Sequence, residues 1–141
     1  MTTTLPTPAA AITMGSNFLR TALRVDGWST GTFGAALLAA GPLLRDPLGL
    51  PSHWSIPFGV AMLGGAAALL LIAGYPEIPR RLAITVIAAN ATSAAAMLAL
   101  IASGALPLTT WGVAFMLIGA AVVAAFAELE YLGLRRAPAQ T

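Results

Sequence analysis

Four apolar stretches nearly empty of charge, at 27–44, 56–75, 82–105 and 108–134, limit what this chain can become. A helix needs roughly 20 residues, at ~1.5 Å each, to cross a hydrocarbon layer ~30 Å thick. All four stretches approach or exceed that length, the first only with help from the residues before it. Over the whole chain 58% of residues are hydrophobic and 9% are charged, against about 25% charged in an ordinary soluble domain. So little charge cannot cover a water-facing surface, and 141 residues are too few to hide this much apolar side chain in one core. Lipid also forces every backbone polar group to find its partner within the fold, which favours helices. The expected fold is therefore all-α: a polytopic membrane protein built as an antiparallel bundle of four transmembrane helices.

Proline and glycine mark the breaks. Pro42, Pro47, Pro51 and Pro57 bracket a first loop, Pro76 and Pro79 a second, and Gly104 with Pro107 a third. Proline ends helices because it lacks a donor and clashes with the preceding turn. Short loops then make consecutive helices antiparallel neighbours. Residues 1–16 read as an uncharged flexible tail, 17–136 as the transmembrane domain and 137–141 as a second tail. No basic segment precedes an apolar core at the start, so a cleaved signal peptide is not expected; Met14 offers a second candidate start. Residues 17–26 alternate Phe18, Leu19, Ala22 and Val25 with Arg20 and Arg24, which reads as an interfacial turn or two leading into the first span.

Arginine sets the expected orientation. Arg20, Arg24, Arg80, Arg81, Arg135 and Arg136 share one side of a four-span topology, and the other side holds only Arg45 beside Asp46. The positive-inside rule then places both termini in the cytoplasm, the whole being a multi-pass protein of a bacterial inner membrane. Trp54 and Trp111 fall at the outer ends of spans, and Trp28, Tyr75 and Tyr131 at inner ends, as interfacial belts do. Gly59-Val60-Ala61 and Gly112-Val113-Ala114 open the second and fourth spans alike, a hint of two related hairpins.

Several chemistries are excluded. Cysteine is absent and His53 is the single histidine, so thiol chemistry, histidine-rich metal sites and bis-histidine haem within one chain are ruled out. No cofactor is expected. The arginines form no basic stripe, so nucleic acid is not an expected partner. No phosphate-binding loop or nucleophile–base pair is present, and the chain reads as a non-enzyme.

Small residues let membrane helices approach closely. Gly27 and Gly31 on the first span, and Ala61 and Gly65 on the second, are the expected packing positions. The lipid bilayer is the one certain partner by this reading, with a homo-oligomer or a larger membrane complex as the protein partner.

Ionisable residues within a span are functional suspects, because lipid makes them expensive. Asp26 lies at the inner mouth of the first span. Glu128 stands about 10 Å above the inner arginines at helical rise, with Tyr131 on its face at i+3. Asp26, Glu128 and Tyr131, with Arg24, Arg81 and Arg135, are expected to converge there, either as a salt-bridge collar or as a proton or cation site. Asn90 is strongly polar near mid-span, with Ser93 on its face. It reads as an interhelical hydrogen bond or as a polar pocket. His53, next to Trp54, reads as an interfacial side chain.

The run Leu23-Arg24-Val25-Asp26, the segments Gly41-Pro42-Leu43-Leu44 and Leu48-Gly49-Leu50-Pro51, Asn90, and the closing Ala127-Glu128-Leu129-Glu130-Tyr131-Leu132-Gly133-Leu134-Arg135-Arg136 together resemble small four-helix integral membrane proteins of high-GC, actinobacterial-type bacteria. The resemblance spans most of 20–136 and implies a fold but no reaction. Small multidrug transporters are similar in size only: their essential glutamate lies within the first helix, where this chain has no acidic residue past Asp26. Three functions remain open from sequence: an accessory subunit packing through small-residue faces, a proton-linked transporter using Glu128, or a lipid- or quinone-binding protein with a pocket near Asn90.

Overall fold

The computed structural model describes residues 7–137, apart from the side chains of residues 8, 9, 11 and 12. It contains four helices, α1 (Pro8–Leu48), α2 (Ser52–Gly74), α3 (Arg80–Ser103) and α4 (Thr110–Arg136), and no strand among the described residues. By length and composition α2, α3 and α4 are apolar enough to cross a membrane; α1 is not among them. Its middle is diluted by Trp28, Ser29, Thr30 and Thr32 and by glycines, and its flanks carry Arg20, Arg24, Asp26, Arg45 and Asp46.

The helix bounds correct two expectations. Pro42 and Pro47 lie inside α1 and Pro57 inside α2, so the first loop shrinks to residues 49–51. Each proline costs one backbone bond, but its φ suits a helix, and the bonds on either side hold the turn together. The stop comes instead from Gly49, whose φ of 66° is a left-handed cap that side chains resist; Gly104 ends α3 the same way at φ 64°. The second correction is at the start. Residues 17–26 are no separate interfacial turn but a continuous part of α1, which already begins at Pro8, inside the expected tail. Leu19, Ala22 and Leu23 are buried there, because this segment packs along the bundle. Of the two expected tails, residues 1–6 and 138–141 lie outside the described residues.

Packing runs α2–α1–α4–α3, with close contact at each of those three joints, while α2 and α3 scarcely touch. This breaks the pseudo-symmetry of two like hairpins, since the α1–α4 joint is closed and its counterpart is open. Thr109 secures the closed joint at one end. Its hydroxyl donates to the Pro47 carbonyl at 2.6 Å and accepts from Gly112 N at 3.1 Å, and its own N–H donates to Leu48 O at 3.1 Å. At the other end Arg20 donates to the carbonyls of Ala73, Tyr75 and Pro76 at 2.6–2.9 Å, satisfying the exposed C-terminus of α2.

Glycine makes the close approaches possible. A Cβ on Gly112 would strike the Leu48 carbonyl, and one on Gly133 would meet the Leu19 backbone at 2.9 Å. Gly27 lies against Leu69 and Leu70, and Gly31 against Ala66. Ala61 is exposed and Gly65 has open space around it, so those two positions do not pack against the other described residues.

Apolar side chains gather in two separate clusters. One joins Leu19, Leu23, Leu69, Ala73, Ala83, Val86 and Leu134 near the arginine-rich end. The other joins Leu37, Leu48, Leu50, Leu106 and Met116 toward the opposite end. Between them lie buried alanines, Ala66, Ala94, Ala120 and Ala127, and the buried carboxyl groups of Asp26 and Glu130.

Candidate functional site

Three helices each send one polar side chain into that interval. Asp26 follows Leu19 and Leu23 on the buried face of α1 and is 1% exposed. Glu130 continues the face of α4 formed by Gly112, Met116, Ala120 and Ala127, and it is fully buried. Asn90 projects from α3, one turn beyond Val86, and is half-buried. Spacings of three and four residues put each polar group on the inward stripe of its own helix.

The Asn90 amide joins the two acids. Its Nδ2 donates to Asp26 Oδ2 at 2.7 Å and to Glu130 Oε2 at 3.1 Å, which uses both of its hydrogens. Thr30, one turn along α1, donates from Oγ1 to Asp26 Oδ1 at 2.9 Å. Among the described residues the side chains that donate to the two acids, Asn90 and Thr30, are both neutral. Glu130 Oε1 is buried and receives no hydrogen bond from the described residues, although a carboxylate oxygen accepts hydrogen bonds readily and is costly to leave without one.

At helical rise, Asp26 stands about 9 Å from the level of Arg20, and Glu130 the same distance from Arg136. The apolar cluster of Leu19, Leu23, Val86 and Leu134 lies between the acids and that end. Toward the opposite end Ala66, Ala94 and Ala127 are buried, with the second cluster beyond them. The pair can therefore accept, hold or pass a positive charge in a setting from which bulk water is largely excluded. Among the described residues no group of three or more His, Asp or Glu side chains is placed to hold a metal ion.

Of the residues singled out from sequence, the structure brings Asp26 and Asn90 together. Glu128 is exposed, roughly 200° around α4 from Glu130 at 3.6 residues per turn. Tyr131 is exposed and carries the Arg135 guanidinium 5.8 Å from its ring centroid. Arg24, Arg81, Arg135 and Ser93 are exposed as well, so the expected collar around Asp26 does not form. His53 is exposed beside Trp54, their rings 5.9 Å apart. The residue that sequence reasoning passed over is Glu130. Its signal was present, because it continues the small-residue stripe of Gly112, Ala120 and Ala127 at helical spacing, which Glu128 does not.

The chain matches no protein-family model, no curated protein and no solved structure. The functional reading therefore rests on the residues themselves.

Proposed function

We propose that this is a small multi-pass membrane protein with both ends in the cytoplasm, acting as a proton-linked carrier through Asp26, Asn90 and Glu130. Its outer surface supports the membrane setting. Trp111, Leu71, Ile118 and Leu43 are 66–77% exposed, a burden that lipid relieves and water does not. The six arginines at one end support the orientation. A reporter fused after Thr141 is expected on the cytoplasmic side and one inserted near Pro51 on the opposite side. A periplasmic C-terminus would reverse the topology.

The observation that carries the function is the fully buried Glu130, with one oxygen on Asn90 and the other unpartnered, beside a fully buried Asp26. Two carboxylates sharing one neutral amide in a lipid-embedded layer cannot both stay ionised without a counter-charge. A proton supplies that charge, and Glu130 Oε1 is the oxygen free to take it. Carrier chemistry follows if the proton enters and leaves from different sides, and no bond-making step is required.

In proteoliposomes enclosing a pH-sensitive dye, the native protein should dissipate an imposed pH gradient faster than protein-free liposomes. Glu130→Gln and Asp26→Asn should fall to the protein-free rate, while Glu128→Gln keeps the native rate. The reading fails if folded Glu130→Gln conducts as well as the native chain. A second reading, an accessory subunit or homo-oligomer, is favoured by one feature: the α2 face around Ala61, Gly64 and Gly65, which none of the described residues covers.

A further inference from the structure

The Asn90 amide does for the two acids what an ammonium group would do, since it places one nitrogen with its hydrogens between two carboxyl oxygens. It leaves one acceptor, Glu130 Oε1, unsatisfied. Of the three bridged residues only Asn90 retains any real exposure, Asp26 and Glu130 being sealed. Its helix meets α4 closely but scarcely touches α2. The α2–α3 seam is therefore the side on which helix packing does not close the layer. The side chains that α2 and α3 turn toward the bundle are apolar, Leu69 and Ala73 with Ala83 and Val86 at one end and Phe58 and Met62 with Met97, Leu100 and Ile101 at the other.

We infer that this site takes a protonated amine with an apolar body, which enters between α2 and α3 and sets its N–H groups on Glu130 and Asp26. The inference rests on the proton-linked reading and gives that carrier a substrate class. Charge selects a cation, because two acids lie together and the side chains that donate to them, Asn90 and Thr30, carry no charge. The unpartnered oxygen selects an N–H donor over a quaternary ammonium, which has no hydrogen to offer. The open seam selects an apolar tail, since a ligand arriving that way crosses the lipid-facing surface. On binding, Asn90 swings aside and the ammonium takes over its two hydrogen bonds while adding the third. The charge of the ammonium replaces that of the site's proton, which leaves, and this exchange couples the two.

Titration calorimetry on the full chain in phosphatidylcholine nanodiscs tests this, with empty nanodiscs subtracted. Octylammonium is the probe and octyltrimethylammonium its donor-free control. Octylammonium should bind at least about tenfold more tightly than the control, a difference of the size one hydrogen bond to a charged group can give. Glu130→Gln should weaken octylammonium to the level of the control. Asp26→Asn serves the same purpose where Glu130→Gln does not fold. Equal binding of the two probes, octylammonium binding unchanged in the variants, or no octylammonium binding by the native chain each overturns the inference. If proton flux in amine-free proteoliposomes still depends on Glu130 in those cases, the proton-linked reading stands alone.

Discussion

Asn90→Ala is expected to destabilise the fold by about 3 kcal/mol, because it removes a charge-assisted hydrogen bond to Asp26 and a second bond to Glu130, and leaves two buried acids without their shared donor. An ordinary polar contact between membrane helices contributes about 0.6 kcal/mol and rarely more than ~1.7 kcal/mol. The excess is the signature of the acidic pair. A double-mutant cycle isolates it: in the Asn90→Ala background, Glu130→Gln should recover about half of the loss, since it removes one buried acid and its amide can donate to Asp26. Reversible unfolding in mixed micelles, followed by helical circular dichroism, provides the measurement. A loss under about 1 kcal/mol would make Asn90 a simple interhelical tie. An additive double mutant would mean that Glu130 and Asn90 do not act together.

Glycine substitutions should divide sharply by position. Gly112→Ala and Gly133→Ala each drive a methyl group into the backbone of α1, at the Leu48 carbonyl and at Leu19. Backbone cannot rotate away as a side chain tip can, so the α1–α4 joint must separate, at a cost of about 3 kcal/mol. At Gly112 the shift also strains the Thr109 N–H bond to the same Leu48 carbonyl. Gly64→Ala and Gly65→Ala meet open space and should stabilise the isolated chain by about 0.4–1 kcal/mol through the unfolded state. The same unfolding assay compares all four. If Gly65→Ala instead weakens self-association on cross-linking, the uncovered α2 face is an interface between copies, as the accessory reading holds. Tolerance of alanine at Gly112 would contradict the close approach of α1 and α4.

These two experiments probe what the residue pattern left undecided. Of the candidate residues, Asp26 and Asn90 were visible individually, as polar groups in or beside long apolar stretches. That they touch was not visible, because sixty-four positions separate them and α1 and α3 stand diagonally across the bundle. Between Glu128 and Glu130 the local pattern favoured the wrong partner set for Asp26. Tyr131 and the arginines lie near Glu128 in sequence, but which face of α4 turns inward depends on where Gly112 and Gly133 dock on α1. The first helix shows the same limit. Proline rules predicted a stop before Leu48, yet the chain runs helical through Pro42 and Pro47 to the left-handed glycine at 49. Packing along α2 and α4 offsets the lost backbone bonds, and local rules do not contain that packing.

The number of helices and the approximate ends of the last three follow from the sequence by itself, because the free energy of placing a residue in an apolar setting is a property of that residue and its near neighbours. So does the clustering of arginine at one end of the bundle. The tertiary structure alone decided which joints close and which stay open, which glutamate is buried, and that two acids share one amide. Those outcomes depend on helix rotation and on backbone approach at single glycines, where one methyl group of volume separates contact from clash and no short stretch of sequence records the partner.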